Sequence, residues 1–539
     1  MYKKHEYQMT EIQLGRWDLS ELTKNPKGPA FQKQIQKLEK QARKFERIKS
    51  KLDPKMSSKK FMGILQQVEE MSEKMSKIGG YASLSYSSDT QSDEATSLMT
   101  QMSKLGSEIS NKILFFDLWW KTKVDKKNAK RLMKDAGELT EYLSHKRLFA
   151  KYALSEPEER IINTLDVTGI SALVKLYDKI TNAYEYKMKI GNKTQTMTRE
   201  ELTNYVRSTN PKIRETAYKT ILTKYTENKG VIGEIYQNIV LNWRDEGIEI
   251  RGYKTPISMR NIGNDVDDKT IESLLSVCKK NSSVFQKFFV QKAKMLKMKK
   301  LRRYDLYAPA AANIKEKNYT YKKSVKLVFE SLGKFSETLE EFARKVFNEN
   351  HIDSSVRQGK RDGAFCSTLS PKITPYVLVN FTGKSRDVFT LAHELGHAVH
   401  SQAAQDRSIL VQDAPLPLAE TASTFSELLL YDNLSDKISD DEKKIVLSEK
   451  IDDLYATILR QSFFTIFEID AHKQIGKGTT VDEISKTYLK SKRTIWEFSK
   501  SFRRLCNRVE LYSSLLSYTI LLLCILFWKL ACIVPISEI

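Results

Sequence analysis

The sequence predicts a mainly α-helical protein that carries one small β-sheet. Apolar residues recur at the spacing of helix turns over long stretches, and only a few short segments have the β-branched and aromatic composition of strands. The chain has 539 residues, of which 40% are hydrophobic, with 12 Pro and 21 Gly. This is the composition of a globular protein, and its length allows more than one domain.

Helical patterns dominate residues 28 to 200. The clearest of these helices begins near Ser92 and Asp93, and its apolar face consists of Leu98, Met102, Leu105, Ile109 and Ile113. Residues 115 to 120, which end in Trp119 and Trp120, continue this helix with bulky side chains that we expect to pack the surrounding helices together. Two more helices are predicted between Arg207 and Arg251.

Tyr376 to Phe381 is the best strand candidate, because it is rich in β-branched and aromatic side chains. A basic turn from Gly359 to Gly363 precedes a second, shorter strand. An exposed strand edge can bind an extended peptide through backbone hydrogen bonds. We therefore expect the edge of the Tyr376 to Phe381 strand to be available for such a peptide.

The segment with the most specific chemistry is His393-Glu-Leu-Gly-His397. On a helix, His393 and His397 lie one turn apart on the same face, so both imidazoles can reach one zinc ion. Glu394 lies beside them, where its carboxylate can take a proton from a water molecule at the metal. Only seven histidines occur in the whole chain, which makes this spacing informative.

A catalytic zinc site needs a third protein ligand and one open position. After Pro415 and Pro417, a helix is predicted from Leu418 to Tyr431, and Glu420 on that helix is the carboxylate that we assign to the metal. Glu427 lies two turns further along the same face. Two interpretations of Glu427 stay open: it holds a metal ligand through a hydrogen bond, or it is a solvated helix charge.

The segments around these residues are similar to those of a known family. His393-Glu-Leu-Gly-His397 and Pro415-Leu-Pro-Leu-Ala-Glu420 resemble the oligoendopeptidase F branch of the thimet-oligopeptidase family of zinc metallopeptidases. Three upstream segments resemble that branch as well: Tyr304-Asp-Leu-Tyr-Ala-Pro309, Gly359-Lys-Arg-Asp-Gly-Ala-Phe-Cys366 and Pro375-Tyr-Val-Leu-Val-Asn-Phe-Thr382. The resemblance extends from near the N-terminus to about Ser491.

The resemblance implies a mostly helical, two-lobed enzyme whose deep channel admits short peptides and excludes folded proteins. It also implies that His393, His397 and Glu420 bind one Zn²⁺ per chain and that Glu394 is the general base. In the family pattern the histidine at the position of His400 is not a ligand, so we expect it to support the ligands from behind or to pack near the site.

His472 has no partner that the sequence identifies, and we expect it to be partly exposed.

A capping-box pattern from Thr198 to Glu201 marks the start of a second region. We predict an N-terminal helical lobe over residues 1–200 and a zinc-containing catalytic lobe over residues 201–490. No Pro-, Gly- or Ser-rich linker separates them, so we expect the two lobes to pack against each other. Residues 491–539 form an aberrant C-terminal tail.

The formal charge of +22 arises from 89 Lys and Arg against 67 Asp and Glu. The lysines are spread through every candidate helix and no nucleic-acid-binding motif is present, so we expect short peptides and not nucleic acid as partners. The five cysteines show no paired spacing and predict no disulfide framework. The first residues lack the apolar core of a signal peptide, which favours a cytoplasmic protein. The oligomeric state is not predictable from these features.

The tail departs from the family pattern after about Ser491. Family members carry here a His- and Tyr-rich segment that supplies hydrogen-bond donors to the oxyanion, whereas this chain has no histidine after His472. When codons for residues 491–530 are chosen freely and read one nucleotide further on, they can encode a segment of that type. We therefore suspect a frameshift near Ser491.

Leu515 to Ile536 is an apolar run with one charge, Lys529, and is long enough to span a bilayer. Besides an active peptidase, two alternatives stay open. One is an impaired relative that binds zinc and peptide but turns over slowly. The other is a peptidase tethered to a membrane through this run.

Overall fold

The computed structural model describes residues 12–310 and 317–496, with side chains up to residue 490. Within these ranges the chain forms twenty α-helices and five short β-strands, so the predicted mainly α-helical fold is confirmed. The first half of the described chain contains α1 (Pro29–Glu46), α2 (Ser58–Ser88), α3 (Asp93–Thr122), α4 (Lys126–Met133), α5 (Leu139–Leu148), α6 (Glu156–Thr168), α7 (Ile170–Asn182), β1 (Tyr186–Ile190), β2 (Lys193–Met197), α8 (Arg199–Val206), α9 (Pro211–Glu227) and α10 (Lys229–Arg244).

The second half contains α11 (Pro256–Gly263), α12 (Asp268–Lys280), α13 (Ser283–Met295), α14 (Tyr321–Phe335), α15 (Glu337–Asn348), β3 (Ile352–Asp353), β4 (Phe365–Ser367), β5 (Tyr376–Leu378), α16 (Ser385–Ala403), α17 (Leu416–Ser435), α18 (Asp440–Tyr455), α19 (Gln461–Ile475) and α20 (Val481–Trp496). Short π-helical segments follow α10 and α18 directly, at Asp245–Ile250 and Ala456–Arg460.

Helix starts follow the capping residues that the sequence provides. The hydroxyl of Ser92 accepts a hydrogen bond of 3.2 Å from the backbone N–H of Ala95, and this bond begins α3 where it was predicted. The capping box from Thr198 to Glu201 begins α8 in the same way. On the apolar face of α3, Met102, Leu105 and Ile109 are buried and Leu98 and Ile113 are partly buried against the same cluster. Trp119 and Trp120, near the end of the helix, are buried as well. These side chains therefore pack the helices together, as the sequence predicted.

The hydrophobic core consists of several clusters. One joins helices α1 to α5, and another joins α7 to α10 with α19 and α20. In the second cluster, residues 177–197 share a core with residues 202–240 and 463–488. The division into two lobes at residue 200 stays a prediction.

The N-terminal helices contact the three-stranded sheet that precedes α16. The backbone N–H of Thr90 donates to the carbonyl of Gly359 at 2.7 Å, and Arg357 donates to the carbonyl of Ser88 at 2.9 Å. Leu84 and Trp17 also join an apolar cluster with residues of β5. The turn between α2 and α3 is thereby tied to the loop between β3 and β4.

The three-stranded sheet has the order β3–β5–β4, with β3 parallel and β4 antiparallel to β5. Both edges of β5 are occupied, because Val377 aligns with Ile352 on one side and with Cys366 on the other. The expectation that the Tyr376 to Phe381 strand offers a free edge is therefore wrong. Within the described residues, the strand with an unpaired edge nearest to α16 is β4.

The packing of α16 on α17 positions the candidate site. The two helices approach so closely that a Cβ on Gly396 would lie 2.6 Å from Ser426 Oγ, 2.7 Å from Ser423 Cα and 2.8 Å from the carbonyl oxygen of Ala422. Real Cβ atoms do not come this close to other heavy atoms. Glycine at position 396 therefore permits the contact that brings the side chains of the two helices together.

No helix in residues 12–310 and 317–496 is both long and apolar enough to cross a membrane. The apolar run Leu515 to Ile536 lies outside the described residues.

Candidate metal centre

Helix α16 presents His393 and His397 on one face. The two residues are four positions apart, so their rings lie one turn from each other. Their Nε2 atoms are 3.2 Å apart. The helix thus directs two imidazole nitrogens toward one point.

Helix α17 adds Glu420 to the same point. Its carboxylate oxygens lie 3.4 Å from Nε2 of His393 and 3.9 Å from Nε2 of His397. The ligand atoms of these three residues all lie within 4.8 Å of one another. Ser423, one turn along α17, donates its hydroxyl to the Glu420 carboxylate at 3.1 Å and helps to orient it.

The donor set fits a divalent metal ion of the zinc type. In a tetrahedral site with bonds of about 2.0–2.1 Å, neighbouring ligand atoms are about 3.4 Å apart, close to the separations found here. The chemistry of the three side chains also suits a bound cation. Three groups that can each offer a lone pair face one another, and a cation between them would satisfy all three.

Glu427 fixes the ring orientation of His393. Its Oε1 atom lies 2.8 Å from Nδ1 of His393, and since a carboxylate only accepts, Nδ1 carries the proton and Nε2 offers its lone pair to the site. Of the two interpretations that the sequence left open for Glu427, the structure favours the hydrogen bond to a candidate ligand. The other Glu427 oxygen, Oε2, accepts a 2.6 Å bond from Lys450.

Burial and neighbouring charges set the protonation of the two histidines in opposite directions. Burial lowers the pKa of His397 to about 4, and the charge of His393 adds to this effect. Burial also opposes protonation of His393, but the hydrogen bond to Glu427 and the surrounding carboxylates outweigh it, so the pKa of His393 is raised. A neutral His397 has the lone pair that a metal ligand needs.

Glu394 lies next to His393 and is buried, with 6% of its surface exposed. Burial, supported by the charges of Glu420 and Glu427, raises its pKa to about 7 against the opposing charge of His393. A carboxyl group with this pKa can both accept and release a proton near neutral pH.

Strand β4 borders the same region. Burial raises the pKa of the Cys366 thiol, and the charges of Glu394 and Asp413 raise it further, so this thiol stays protonated. The hydroxyls of Thr368 and Ser401, which follow β4 and lie on α16 respectively, are 2.5 Å apart. Strand β4 therefore lies close to the helix that carries the histidines.

The structure also bears on the expectations for two further histidines, His400 and His472. Within the described residues, the ligand atoms that converge belong to His393, His397 and Glu420 and not to His400, whose role stays a prediction. His472 is buried, with 9% of its surface exposed, so the expectation of a partly exposed residue is wrong. Sequence reasoning also missed Lys450 and the edge of β4, since both depend on contacts between segments far apart in the chain.

The chain matches peptidase family M3 over residues 204–512, a range that contains His393, His397 and Glu420 and that runs past Ser491. It is 26% identical to an oligoendopeptidase F homolog of Borreliella burgdorferi over 494 residues, which covers 88% of this chain and 80% of that relative. It is 23% identical to oligopeptidase PepF of Bacillus subtilis, with 88% of this chain and 71% of the relative covered.

Solved structures with the same fold include an oligoendopeptidase F from Enterococcus faecium. The TM-score is 0.69 at 17% identity, with 94% of this chain and 87% of that chain covered. PZ peptidase A, solved with an inhibitor, gives a TM-score of 0.78 at 14% identity, with 96% of this chain and 87% of that chain covered. At these identities the likeness concerns the fold.

Proposed function

Because the chain belongs to peptidase family M3 and is a metallopeptidase that acts on oligopeptides, we propose that it hydrolyses short peptides at a zinc ion held by His393, His397 and Glu420. The family membership confirms the resemblance predicted from the sequence. The observation that carries the proposal is the convergence of three ligand atoms beside the buried carboxylate of Glu394.

When bound, zinc would polarise the peptide carbonyl and make a water molecule nucleophilic at neutral pH. Glu394 is the residue to which we assign proton transfer. Its carboxylate takes the proton from the attacking water and then delivers it to the nitrogen of the leaving amine. The burial of Glu394, which raises the pKa of its carboxyl group, supports this role, because a less acidic carboxyl group has a carboxylate that is a stronger base.

The edge of β4 is the surface that we assign to the peptide. An extended peptide added to this edge would bind through backbone groups, so binding would depend little on the peptide sequence. The strand lies beside α16, which brings the backbone of such a peptide near Glu394. The names of the relatives, oligoendopeptidase and oligopeptidase, support short peptides as substrates.

Turnover of an internally quenched peptide of about nine residues tests this function. We expect a chelator to abolish hydrolysis and zinc to restore it. Glu394→Gln should retain about one zinc per chain and lose hydrolysis by a factor of a hundred or more, since only the proton-transfer group is removed. Hydrolysis that survives both complete metal removal and Glu394→Gln would contradict the proposal.

A second candidate function is zinc and peptide binding with slow turnover. It is favoured by the sequence after His472, which has no histidine to match the family's His- and Tyr-rich segment. Resequencing the gene decides whether the tail after Ser491 arises from a frameshift or is a membrane tether. A frameshift near Ser491 requires codons that encode the family segment in the shifted register, and codons that cannot do so would contradict it. That result would leave the membrane tether as the better account of the tail.

A further inference from the structure

Lys450 lies behind the candidate metal centre on α18. One turn earlier on the same helix, Val446 is buried in the apolar cluster that surrounds α16. Because residues four apart share a helix face, Lys450 also points toward α16. Its ammonium nitrogen lies 4.0 Å from the centre of the Phe389 ring, and only 16% of its side chain is exposed.

The ammonium group of Lys450 reaches the carboxylate of Glu427, which is 15% exposed. The two oxygens of Glu427 divide their contacts: Oε2 accepts from Lys450 at 2.6 Å, and Oε1 accepts from Nδ1 of His393 at 2.8 Å. A carboxylate held at both oxygens by donors on different helices has little freedom to rotate. Charge-assisted bonds of this length are also among the stronger ones in proteins.

We propose that Lys450 is a positioning residue for the metal centre, acting through Glu427 to hold the His393 ring with Nε2 directed at the metal. The inference rests on the proposed zinc site. It adds Lys450 as a residue that supports Glu427, which in turn supports the ligand His393. Partners of metal-binding histidines fix the ring and its tautomer, and their loss commonly weakens metal binding by 10- to 100-fold. Lys450 fixes that partner in turn.

Lys450→Met tests this role, because methionine keeps an apolar chain on Phe389 and removes the ammonium group. Competition with a chromophoric chelator measures the zinc affinity of the metal-free protein. We expect affinity to fall by about tenfold or more. Lys444→Met is the matched control. Lys444 is an exposed residue of the same helix, ion-paired with Asp441, and its removal should leave zinc affinity unchanged.

A double-mutant cycle with Glu427→Gln separates positioning through Glu427 from a general loss of structure. If Lys450 acts through Glu427, removing both should cost no more than removing one of them. The double variant should then bind zinc as tightly as whichever of Lys450→Met and Glu427→Gln binds it more weakly. Lys450→Arg, which keeps the charge and donors, should bind zinc more tightly than Lys450→Met. Zinc affinity of Lys450→Met within twofold of wild type, or additive losses in the double variant, would overturn the inference.

These outcomes are distinguishable from a failure of the proposed function. If wild-type protein binds no zinc and cleaves no peptide, the function itself is wrong. If wild type does both and Lys450→Met is indistinguishable from it, only the role of Lys450 is wrong.

Discussion

At the scale of single residues, His472 links the structure to the pH dependence of stability. Burial, together with the charge of Arg244, lowers its pKa from 6.5 to about 4. Between these values the unfolded chain holds the proton and the folded chain does not. The unfolded state therefore binds more protons, and stability falls as the pH falls through this window. At pH 5 the loss from this residue is about 2 kcal/mol.

His472→Gln removes this titrating group, so its stability should depend less on pH between 6.5 and 4 than that of wild type. Urea unfolding at both ends of this window measures the difference. Glu468, one turn earlier on α19, has a pKa raised by burial, but both proteins contain it and its effect cancels in the comparison. Equal losses of stability in the two proteins would contradict a buried neutral His472.

Single residues also differ in how far the sequence predicts their roles. His393 and His397 are recognisable because helix geometry alone places them together. Glu420 is recognisable as a carboxylate on the next predicted helix, and the family resemblance implies the same ligand. Glu427 could be placed on the correct helix face, but its bond to His393 depends on how α17 packs against α16. Lys450 carries no signal in the sequence, because a lysine on an amphipathic helix is usually a solvated charge.

At the scale of secondary-structure elements, the contact between α16 and α17 determines whether the three ligand candidates meet. We expect Gly396→Ala to force these helices apart, because the new methyl group would collide with the backbone at Ala422 and Ser423. Overpacking of this kind costs about 1–3 kcal/mol. Thermal unfolding should occur at a lower temperature, and zinc affinity should fall because Glu420 moves away from the histidines.

Gly63→Ala is the control for this prediction. Gly63 lies inside α2, and apart from the backbone of its own helix turn and its chain neighbours no atom lies within 4 Å of the position that its Cβ would take. Alanine should therefore leave zinc affinity unchanged and raise stability by about 0.5–1 kcal/mol. If Gly396→Ala equals wild type in unfolding temperature and in zinc affinity, the two helices tolerate a side chain at this position and the prediction is wrong.

The sheet shows why element order is harder to predict than element type. The composition of residues 376–381 identified a strand, and the strand Tyr376–Leu378 is present. Its central position depends on pairing with Ile352–Asp353, a strand of two residues that has no recognisable pattern. The unpaired strand edge therefore belongs to β4 and not, as predicted, to β5.

At the scale of the whole molecule, helix periodicity and family resemblance predicted the mainly α-helical fold. The packing of the N-terminal helices on the sheet was less predictable, because it depends on contacts such as that between Thr90 and Gly359, which are far apart in the chain. These contacts place the first helices beside the elements that carry the candidate site. The channel that the resemblance implies stays a prediction.

Substrate size is the prediction that belongs to this scale. If the peptide must enter a channel and extend along β4, peptides of roughly five to twenty residues should be cut and folded proteins should be spared. A series of peptides of increasing length, compared with one globular protein in native and unfolded form, measures this dependence. Cleavage of the native protein as fast as of the short peptides would contradict an enclosed site.

Zinc analysis of purified wild type and Glu420→Ala tests the central claim most directly, because it asks whether residues of two helices hold one metal ion. We expect about one zinc per chain in wild type and a clear loss of zinc from Glu420→Ala after dialysis, since two histidines alone bind zinc weakly. Glu394→Gln, which changes the neighbouring carboxylate, should keep its zinc. An unchanged zinc content in Glu420→Ala would remove this carboxylate from the ligand set and contradict the account.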